Sequence, residues 1–442
     1  MIVPPPNADS IFAEVLQSFP EDLKETAREF KAFSRARKIK TPAQLFRAVL
    51  LFSGLDFSER EIAANLVLVD PTIGTLSDQA VHNRLKACEP WLKALLLQMN
   101  KRREIPPLPS GLRVVVIDAT NIAAPGQRSM THRLHIAMNL ISLQLIEVKV
   151  TDYKTGETLK NFSFAPGDVV ICDRGYSKRD SAEAVIEACG DIIVRYNAAN
   201  FPVQDLDGNQ INVADALADI QPGQLTTLPV QFQSKKGKTY QAWVHVYRLE
   251  GAQAKAARRR CEREAQRSRY RLRPETLFLA EFVMALSSIP PEILNAETVL
   301  ALYRCRWQVE LLIKRWKSLL DFDQLRARAT SPLSFVWLHG KLLYAALLEQ
   351  RLRKRSPDKS NSIAQQRTTT HWRLWKMTQR EVEPMITLSA CWNKTAWPAA
   401  IISLTERKRK RQLQSLPENV VRWLHHPIES LNNEYRTARL NQ

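Results

Sequence analysis

Two short apolar runs, each ending in an aspartate, constrain the fold of this chain most. Residues 113–118 have the sequence RVVVID, and residues 169–173 have the sequence VVICD. Apolar runs of this length that are rich in β-branched residues predict buried strands. Further strands are predicted at 132–140, 143–150 and 192–196, with a helix at 181–189 before the last of them. Strands that alternate with a helix in this way predict an α/β core.

The regions on either side of this core have a helical pattern. Thr41-Pro42, Ser58 with Glu61, and Ser77 are typical helix starts. The two helices around the turn at 70–74 form either a helix-turn-helix reader of DNA or part of a plain helical bundle. In the first case the side chains near the groove would be Gln79, His82, Asn83, Arg84 and Lys86. The chain after residue 350 is predicted to be helical, with tryptophans at 372, 375, 392 and 397.

The segment 197–290 interrupts the core with strands at 230–233, 240–247 and 277–286. Between the second and third of these strands, residues 254–273 carry nine Lys or Arg and two Glu in a helix-forming sequence. A helix so basic and so poor in large apolar side chains is a surface element. It either follows a phosphate backbone or is a solvated face.

A predicted helix at 296–319 returns the chain to the core. It places Tyr303, Arg306, Glu310 and Lys317 at offsets of three, four and seven, with Lys314 on the same side. At about 100° per residue, the first four share a helix-face arc of roughly 60°. A carboxylate can hold a divalent metal, while neighbouring cations clamp phosphate oxygens. The alternative is a solvated face with intrahelical ion pairs.

The charge balance of the chain favours a polyanionic partner. The sequence has 64 Lys and Arg against 45 Asp and Glu, a net charge of +19, which indicates nucleic acid as the partner. The six cysteines show no paired spacing, which argues against a zinc ribbon or a disulfide scaffold. No secretion signal and no apolar run of about 20 residues is present. We therefore expect a cytoplasmic protein without a membrane segment.

Asp118, Asp173 and Glu310 form the candidate catalytic set. Neighbouring strand ends bring side chains together, and a helix packed across the sheet can add a third. Three carboxylates in one pocket repel one another unless cations hold them, and such a set binds two Mg²⁺ ions for phosphoryl transfer.

At this point the chain resembles a known family. Asp118, Asp173 and Glu310 resemble the DDE triad of RNase H-like transposases. The spacing Tyr303-x2-Arg306-x3-Glu310-x6-Lys317 matches the Y-(2)-R-(3)-E-(6)-K signature of bacterial insertion-sequence transposases of family four. Asp152-x3-Gly156-Glu157 and the run Asp173-Arg174-Gly175-Tyr176 are also similar to that family.

The resemblance implies an α/β fold with an RNase H-like core that is interrupted by a β-rich insertion domain. The implied boundaries are a helical DNA-binding region at 1–105, the first part of the core at 106–196 and the insertion domain at 197–290. The second part of the core follows at 291–350, and a helical region for DNA or dimer contacts at 351–442. In relatives an aromatic residue of the insertion domain holds a flipped base. A Trp would be expected shortly before Ser287-Ser288, where this chain has Phe282.

The resemblance also implies residue roles. Asp118, Asp173 and Glu310 would hold Mg²⁺, with Mn²⁺ as a possible substitute. The cleaved end would be bound through its phosphates by Tyr303, Arg306 and Lys317, with Lys314 beside them. Arg195 resembles a family arginine near the site, although an edge-strand arginine in water explains it equally well.

The function implied is a cut-and-paste DNA transposase. It would cleave the inverted-repeat ends of an insertion sequence and join them to target DNA, so its partners would be double-stranded DNA and a second copy of the chain. We expect it in the bacterial cytoplasm, associated with the nucleoid. Two alternatives stay open: an RNase H-like nuclease acting on branched or damaged DNA, and a non-catalytic DNA-binding relative.

Overall fold

The structure is a computed structural model that describes residues 8–70, 73, 75–101, 111–127, 129–355, 367–389, 405–407 and 417–425. The chain forms two compact units, each built from separate stretches. One comprises Met1–Glu104, Thr120–Arg133 and Leu312–Gln412, and the other comprises Ile105–Ala119, Leu134–Leu311 and Leu413–Gln442. Trp392 and Trp397 lie outside the described residues, as does most of the predicted turn at 70–74.

The first unit contains the predicted N-terminal helices, and their starts are confirmed. Thr41 Oγ1 accepts a hydrogen bond from Gln44 N at 3.1 Å. Ser58 and Glu61 form a reciprocal capping box, which satisfies two backbone N–H groups that the helix leaves unpaired. The helices are α1 (Ala8–Leu16), α2 (Leu23–Glu29), α3 (Pro42–Ser53), α4 (Glu59–Val69), α5 (Asp78–Lys86) and α6 (Glu89–Lys101).

The helix α5 was the predicted DNA-recognition helix, and two of its candidate DNA-contacting side chains make contacts within the first unit. His82 Nδ1 lies 2.8 Å from Glu59 Oε1 on α4. Arg84 donates to the backbone carbonyl of Arg35 at 2.7 Å and lies over the ring of Phe33. The α4–α5 pair is therefore joined by side-chain contacts, and its base-reading role stays a prediction.

A long apolar helix, α13 (Pro332–Arg355), packs against α3 and α6. The unit's core also contains an aromatic cluster in which the Phe46 ring lies 4.7 Å from Phe19 and 5.6 Å from Trp91. Fully buried side chains of this size each contribute about 2–3 kcal/mol to stability. The remaining helix here is α14 (His371–Thr387).

An eight-stranded sheet organises the second unit. Its strands are β1 (Arg113–Ala123), β2 (Met130–Asn139), β3 (Leu145–Asp152), β4 (Asp168–Cys172), β5 (Asp191–Arg195), β6 (Leu225–Gln233), β7 (Thr239–Arg248) and β8 (Phe282–Ser287), in the order β3-β2-β1-β4-β5-β8-β7-β6. The three central strands β1, β4 and β5 are parallel. The helix α7 (Arg179–Ile186) connects β4 to β5, as the alternation in the sequence predicted. The fold is mixed α/β.

The strands of the segment 197–290 continue this sheet. β8 pairs antiparallel with β5, with Val194 opposite Leu286, and β7 and β6 follow as antiparallel neighbours. The basic helix α9 (Gly251–Ser268) lies between β7 and β8 in sequence. The other helices here are α8 (Val213–Ala216) and α10 (Pro274–Leu279), with α11 (Ala296–Cys305) and α15 (Glu418–His425) outside the segment. A short pair, β9 (Arg367–Thr369) and β10 (Thr405–Arg407), is separate from this sheet.

Three predicted elements differ from the structure. The chain after residue 350, predicted to be helical, contains the strand pair β9 and β10 as well as the helices α14 and α15. The run 277–286 is not one strand: its first part belongs to α10, because Pro274 at the first helical position and Glu275 in the first turn start a helix. The helix predicted at 296–319 divides at Arg306 into α11 and α12 (Trp307–Leu320). Here Arg306 N bonds to Tyr303 O and Val309 N bonds to Arg306 O, three-residue spacings that tighten the helix locally. No helix in the described ranges is long and apolar enough to cross a membrane.

Candidate active site

The register of the three parallel strands places Asp118 and Asp173 side by side. Ile117 is opposite Cys172, and Cys172 is opposite Val194. Asp118 directly follows Ile117, and Asp173 directly follows Cys172, so the two aspartates come next along two neighbouring strands. Adjacent strands lie about 4.8 Å apart, so the two aspartates are neighbours across the sheet, as the sequence predicted.

Backbone N–H groups fix both aspartates. Asp118 Oδ1 accepts from Ala119 N at 2.8 Å. Asp173 Oδ1 accepts from Gly175 N at 2.9 Å and caps a short 3₁₀ helix, Arg174–Tyr176. The aspartate that follows β4 therefore stabilises the turn as well as contributing to the candidate site.

Arg306 joins Asp118 to Glu310. Its Nη1 lies 3.5 Å from Asp118 Oδ2, and its Nη2 is bonded to Glu310 Oε1. The guanidinium carbon also lies 5.8 Å from the ring centroid of Tyr303. The break between α11 and α12 falls at this arginine, so three of the four signature residues meet at one turn.

The charges at the site are strongly coupled. Burial raises the pKa of Asp118 to about 7, and the negative charges of Asp173 and Glu310 act in the same direction, against the Ala119 N–H and Arg306. Burial lowers the pKa of Arg306, but Tyr303, Glu310 and Asp118 outweigh that effect and hold this pKa above its ordinary value. Arg306 therefore stays cationic, while Asp118 titrates near neutral pH.

Two residues that the sequence did not single out as site residues also lie here. A Cβ added at Gly175 would collide with the carboxylate of Glu157 and lie 3.2 Å from Asp173 Oδ1, so Glu157 lies close to Asp173. Tyr176 is fully buried, and its hydroxyl has no hydrogen-bond partner in the described part of the chain. Burial and the charges of Glu157 and Asp118 raise the pKa of Tyr176. The family-like runs containing both residues were the only signal for them in the sequence.

The other predicted site residues are placed as follows. Arg195 ends β5 and is exposed; because β5 lies between β4 and β8, the alternative of an edge-strand arginine is wrong. Lys314 is exposed and Lys317 half-buried on α12. Phe282 is buried beneath Arg248 and beside Phe278. Its ring is therefore not exposed for stacking on a flipped base.

The donor set is suited to a hard divalent cation, because carboxylate oxygens are the ligands that such ions prefer. As placed, no three acidic, His or Cys side chains of the described residues are grouped closely enough to hold a metal ion. Arg306 lies between two of the carboxylates and provides the positive charge that they require.

Comparison with known proteins identifies the family to which the chain belongs. Residues 109–345 match the family "Transposase DDE domain". The chain is 31% identical over 336 residues to the putative transposase of insertion sequence IS186A of Escherichia coli (strain K12), covering 75% of this chain and 90% of that protein. It is also 31% identical over 337 residues to the transposase of IS421 of Escherichia coli, with the same coverage.

Two more distant similarities extend over much of the chain. The transposase of IS231F of Bacillus thuringiensis subsp. israelensis is 26% identical over 391 residues, covering 75% of this chain and 78% of that protein. A cryo-EM structure of the piggyBac transposase synaptic complex with hairpin DNA aligns with a TM-score of 0.39 and 10% identity, covering 94% of this chain and 89% of that one. On the family match and the identity to the insertion-sequence relatives, the chain belongs to the DDE transposases of bacterial insertion sequences and is a DNA transposase.

Proposed function

We propose that this transposase cuts the inverted-repeat ends of its insertion sequence and joins them to target DNA, with Asp118, Asp173 and Glu310 as the catalytic carboxylates. The observation that carries the proposal is the meeting of these groups. Register places Asp118 beside Asp173, and Arg306 bonds both Asp118 and Glu310. A DNA-binding relative without catalysis would not need to keep one arginine bonded to two of these carboxylates, with the third at the end of the neighbouring strand.

The fold is proposed to be an RNase H-like core at 106–196 and 291–350 with an insertion domain at 197–290. The regions at 1–105 and 351–442 would contact DNA or a second subunit. The parallel arrangement of β1, β4 and β5 supports such a core. The insertion would extend the core sheet edge to edge, since its strand β8 pairs with β5.

Asp118, Asp173 and Glu310 would together hold Mg²⁺, or Mn²⁺ in its place. Bound there, the metal would activate the attacking water or hydroxyl and stabilise the departing oxygen. The raised pKa of Asp118 fits this assignment, because burial beside two further carboxylates makes an added positive charge favourable at that position.

Arg306 would change partners when DNA arrives. Its pKa stays above the ordinary value, so it is available as a permanent charge for a phosphate oxygen, and its planar donors suit bidentate contacts. In the free protein it screens Asp118 from Glu310. On transfer to a phosphate it would leave both carboxylates to a metal ion while holding the scissile region in place.

The other signature residues would position the DNA end. Tyr303, whose ring already lies beside Arg306, and Lys317 would contact phosphates next to the cut, with Lys314 further along α12. Arg195 lies one strand beyond Asp173 at the same level of the sheet, where an exposed cation would meet the same backbone. Handling two element ends together would require a dimer.

Cleavage of a duplex that carries the element's own terminal repeat tests the proposal. Wild type with Mg²⁺ should cut at the repeat tip, and the excised end should join a target plasmid; EDTA should abolish both steps. Asp118→Asn should bind the duplex without cutting it, whereas Asp180→Asn, on the neighbouring helix α7, should cut normally. Binding without cutting by wild type would instead support the non-catalytic alternative, and cutting of branched DNA without end preference would support a nuclease.

A further inference from the structure

The basic helix α9 carries a row of cations that the catalytic assignment does not use. Lys255, Arg259, Arg263 and Arg267 recur at every fourth residue and are exposed. At about 100° per residue, they occupy one face of the helix. At 1.5 Å per residue the row is about 18 Å long. These four residues are the α9 cation row.

The opposite face of α9 packs against the rest of the unit. Ala254, Ala257, Cys261 and Ala265 are its least exposed residues, at helical spacing. Small side chains there let the helix lie close to its support. The position of the cation row is therefore fixed by packing on the far side of the helix.

Arg258, also on α9, differs from the four residues of the row because it has an ion-pair partner. Arg258 Nη1 lies 2.9 Å from Glu281 Oε1, and Glu281 also pairs with Arg248 at 3.1 Å. By contrast, no carboxylate of the described residues lies within ion-pair distance of the α9 cation row. Like charges four residues apart destabilise a helix, so a structural role accounts for Arg258 but not for the row.

The ion pair of Arg258 with Glu281 shows where on the unit this helix lies. Glu281 directly precedes β8, which runs antiparallel to β5 and has Ala285 opposite Arg195 at the C-terminal end of β5. The first residues of β8 therefore extend past that end of β5, which is the end of the sheet where Asp118 and Asp173 lie. The ion pair thus holds α9 at the same end of the sheet as the carboxylates.

We propose that the α9 cation row binds the phosphate backbone of the duplex whose end lies at the carboxylates. B-form DNA has a phosphate about every 3.4 Å of axis along each strand, so an 18 Å row spans several phosphates of one strand. A contact made only to phosphates carries no sequence information, so this contact is independent of sequence. The inference rests on the proposed function, because it takes the same DNA end as its substrate.

The salt dependence of DNA binding tests this assignment. The triple variant Arg259→Gln, Arg263→Gln, Arg267→Gln removes three charges and keeps residues that favour helix. With about 0.9 counterions released per neutralised phosphate, its plot of log K against log salt should be shallower by about 2.7. The loss of affinity between 50 and 200 mM salt should then be about 40-fold smaller than for wild type. The change should be equal on a terminal-repeat duplex and on a scrambled duplex.

Two controls separate charge from folding. Arg258→Gln removes one arginine of the same helix that is held by Glu281, and it should leave the slope unchanged. The triple variant with lysine at 259, 263 and 267 should keep the wild-type slope, and circular dichroism should show the same helix content for all variants. A folded triple glutamine variant with the wild-type slope would overturn the α9 assignment, while cleavage by wild type would leave the proposed function standing. Wild type that neither binds nor cuts the duplex would contradict both.

Discussion

Arg306 Nη1 lies 3.5 Å from Asp118 Oδ2, although the two residues are 188 positions apart in the sequence. One comes from the turn between two helices and the other from the centre of the sheet. The same guanidinium bonds Glu310. A single cation thus holds together the two segments that the candidate site requires.

Replacing Arg306 should separate catalysis from DNA binding. We expect Arg306→Ala to reduce the rate of DNA-end cleavage by about 10²–10³-fold, the loss that removal of one charge-stabilising donor causes in other active sites. Arg306→Lys should recover only part of the rate, because one ammonium cannot reproduce the planar donors that reach two carboxylates. Single-turnover cleavage at saturating DNA measures this. A lysine variant as fast as wild type would contradict a bidentate role.

Asp118 should make the stability of the metal-free protein depend on pH. Its pKa is about 7 in the folded chain, against about 3.9 for an unperturbed Asp. Between these values the folded state binds more protons than the unfolded state, so the free energy of unfolding falls as pH rises from about 4 to 7. Asp118→Asn removes this cost. In EDTA the variant should gain stability over wild type with rising pH, by on the order of 4 kcal/mol at pH 8.

Urea unfolding of wild type and Asp118→Asn at pH 4.5 and pH 8 measures the effect. Asp180→Asn provides the control, since it changes a partly exposed aspartate that pairs with Lys160 instead of Arg306. A stability difference that does not grow with pH would show that Asp118 is ionised normally in the folded protein.

Gly175 should accept a side chain only if Glu157 moves. A Cβ there would collide with the carboxylate of Glu157 and crowd Asp173, whereas a Cβ at Gly156 would have no atom within 4 Å. The colliding group is the end of a flexible side chain, so Gly175→Ala should lower the free energy of unfolding by only about 1 kcal/mol, the low end of the cost of overpacking, and should slow cleavage by displacing Glu157 from Asp173. Gly156→Ala should do neither. Pairing Gly175→Ala with Glu157→Ala should restore part of the stability; a strictly additive loss would place Glu157 elsewhere.

Lys341 and Asp56 form an ion pair in the first unit in which only the lysine is buried, so mutations of the two residues should have unequal effects on stability. Lys341 Nζ is fully buried and lies 2.6 Å from Asp56 Oδ2, which is 37% exposed. Asp56→Asn suits the left-handed backbone there but leaves a buried ammonium, so it should cost about 3 kcal/mol. Lys341→Met should cost less, because the remaining carboxylate can reach water. Arg326→Gln, which removes a more exposed partner at 3.7 Å, should cost under about 1 kcal/mol. Denaturation midpoints of the three variants measure this order.

The strands and helix starts could be predicted from the sequence because their signals are local. The apolar runs before Asp118 and Asp173 predicted the two central strands, and the capping residues Thr41 and Ser58 predicted the starts of α3 and α4. The order of the sheet could not be predicted. Pairing of β8 with β5 joins segments almost a hundred residues apart, and nothing in either run specifies its neighbour. Residues 277–286 were assigned wholly to a strand because a short apolar run has no period that separates helix from strand.

The candidate site was predictable where a spacing signature existed and not elsewhere. Arg306 and Glu310 were identified by their helical offsets, and in the structure Arg306 contacts Asp118 and is bonded to Glu310. Glu157 is brought to Asp173 by a loop that folds back over Gly175, a tertiary contact without periodicity. An edge-strand position was predicted as the alternative for Arg195. The sequence could not exclude it, because β8, the strand that pairs with β5 on that side, comes about ninety residues later in the chain.

Cleavage by Glu310→Gln tests the central claim most directly, with Glu297→Gln as the matched control. Both glutamates lie in the first turn of neighbouring helices, but only Glu310 contacts Arg306. With a terminal-repeat duplex and Mg²⁺, we predict that wild type and Glu297→Gln cut at the repeat tip, while Glu310→Gln binds with wild-type affinity and does not cut. Cleavage by Glu310→Gln at the wild-type rate would contradict the assignment of this glutamate, and with it the three-carboxylate site.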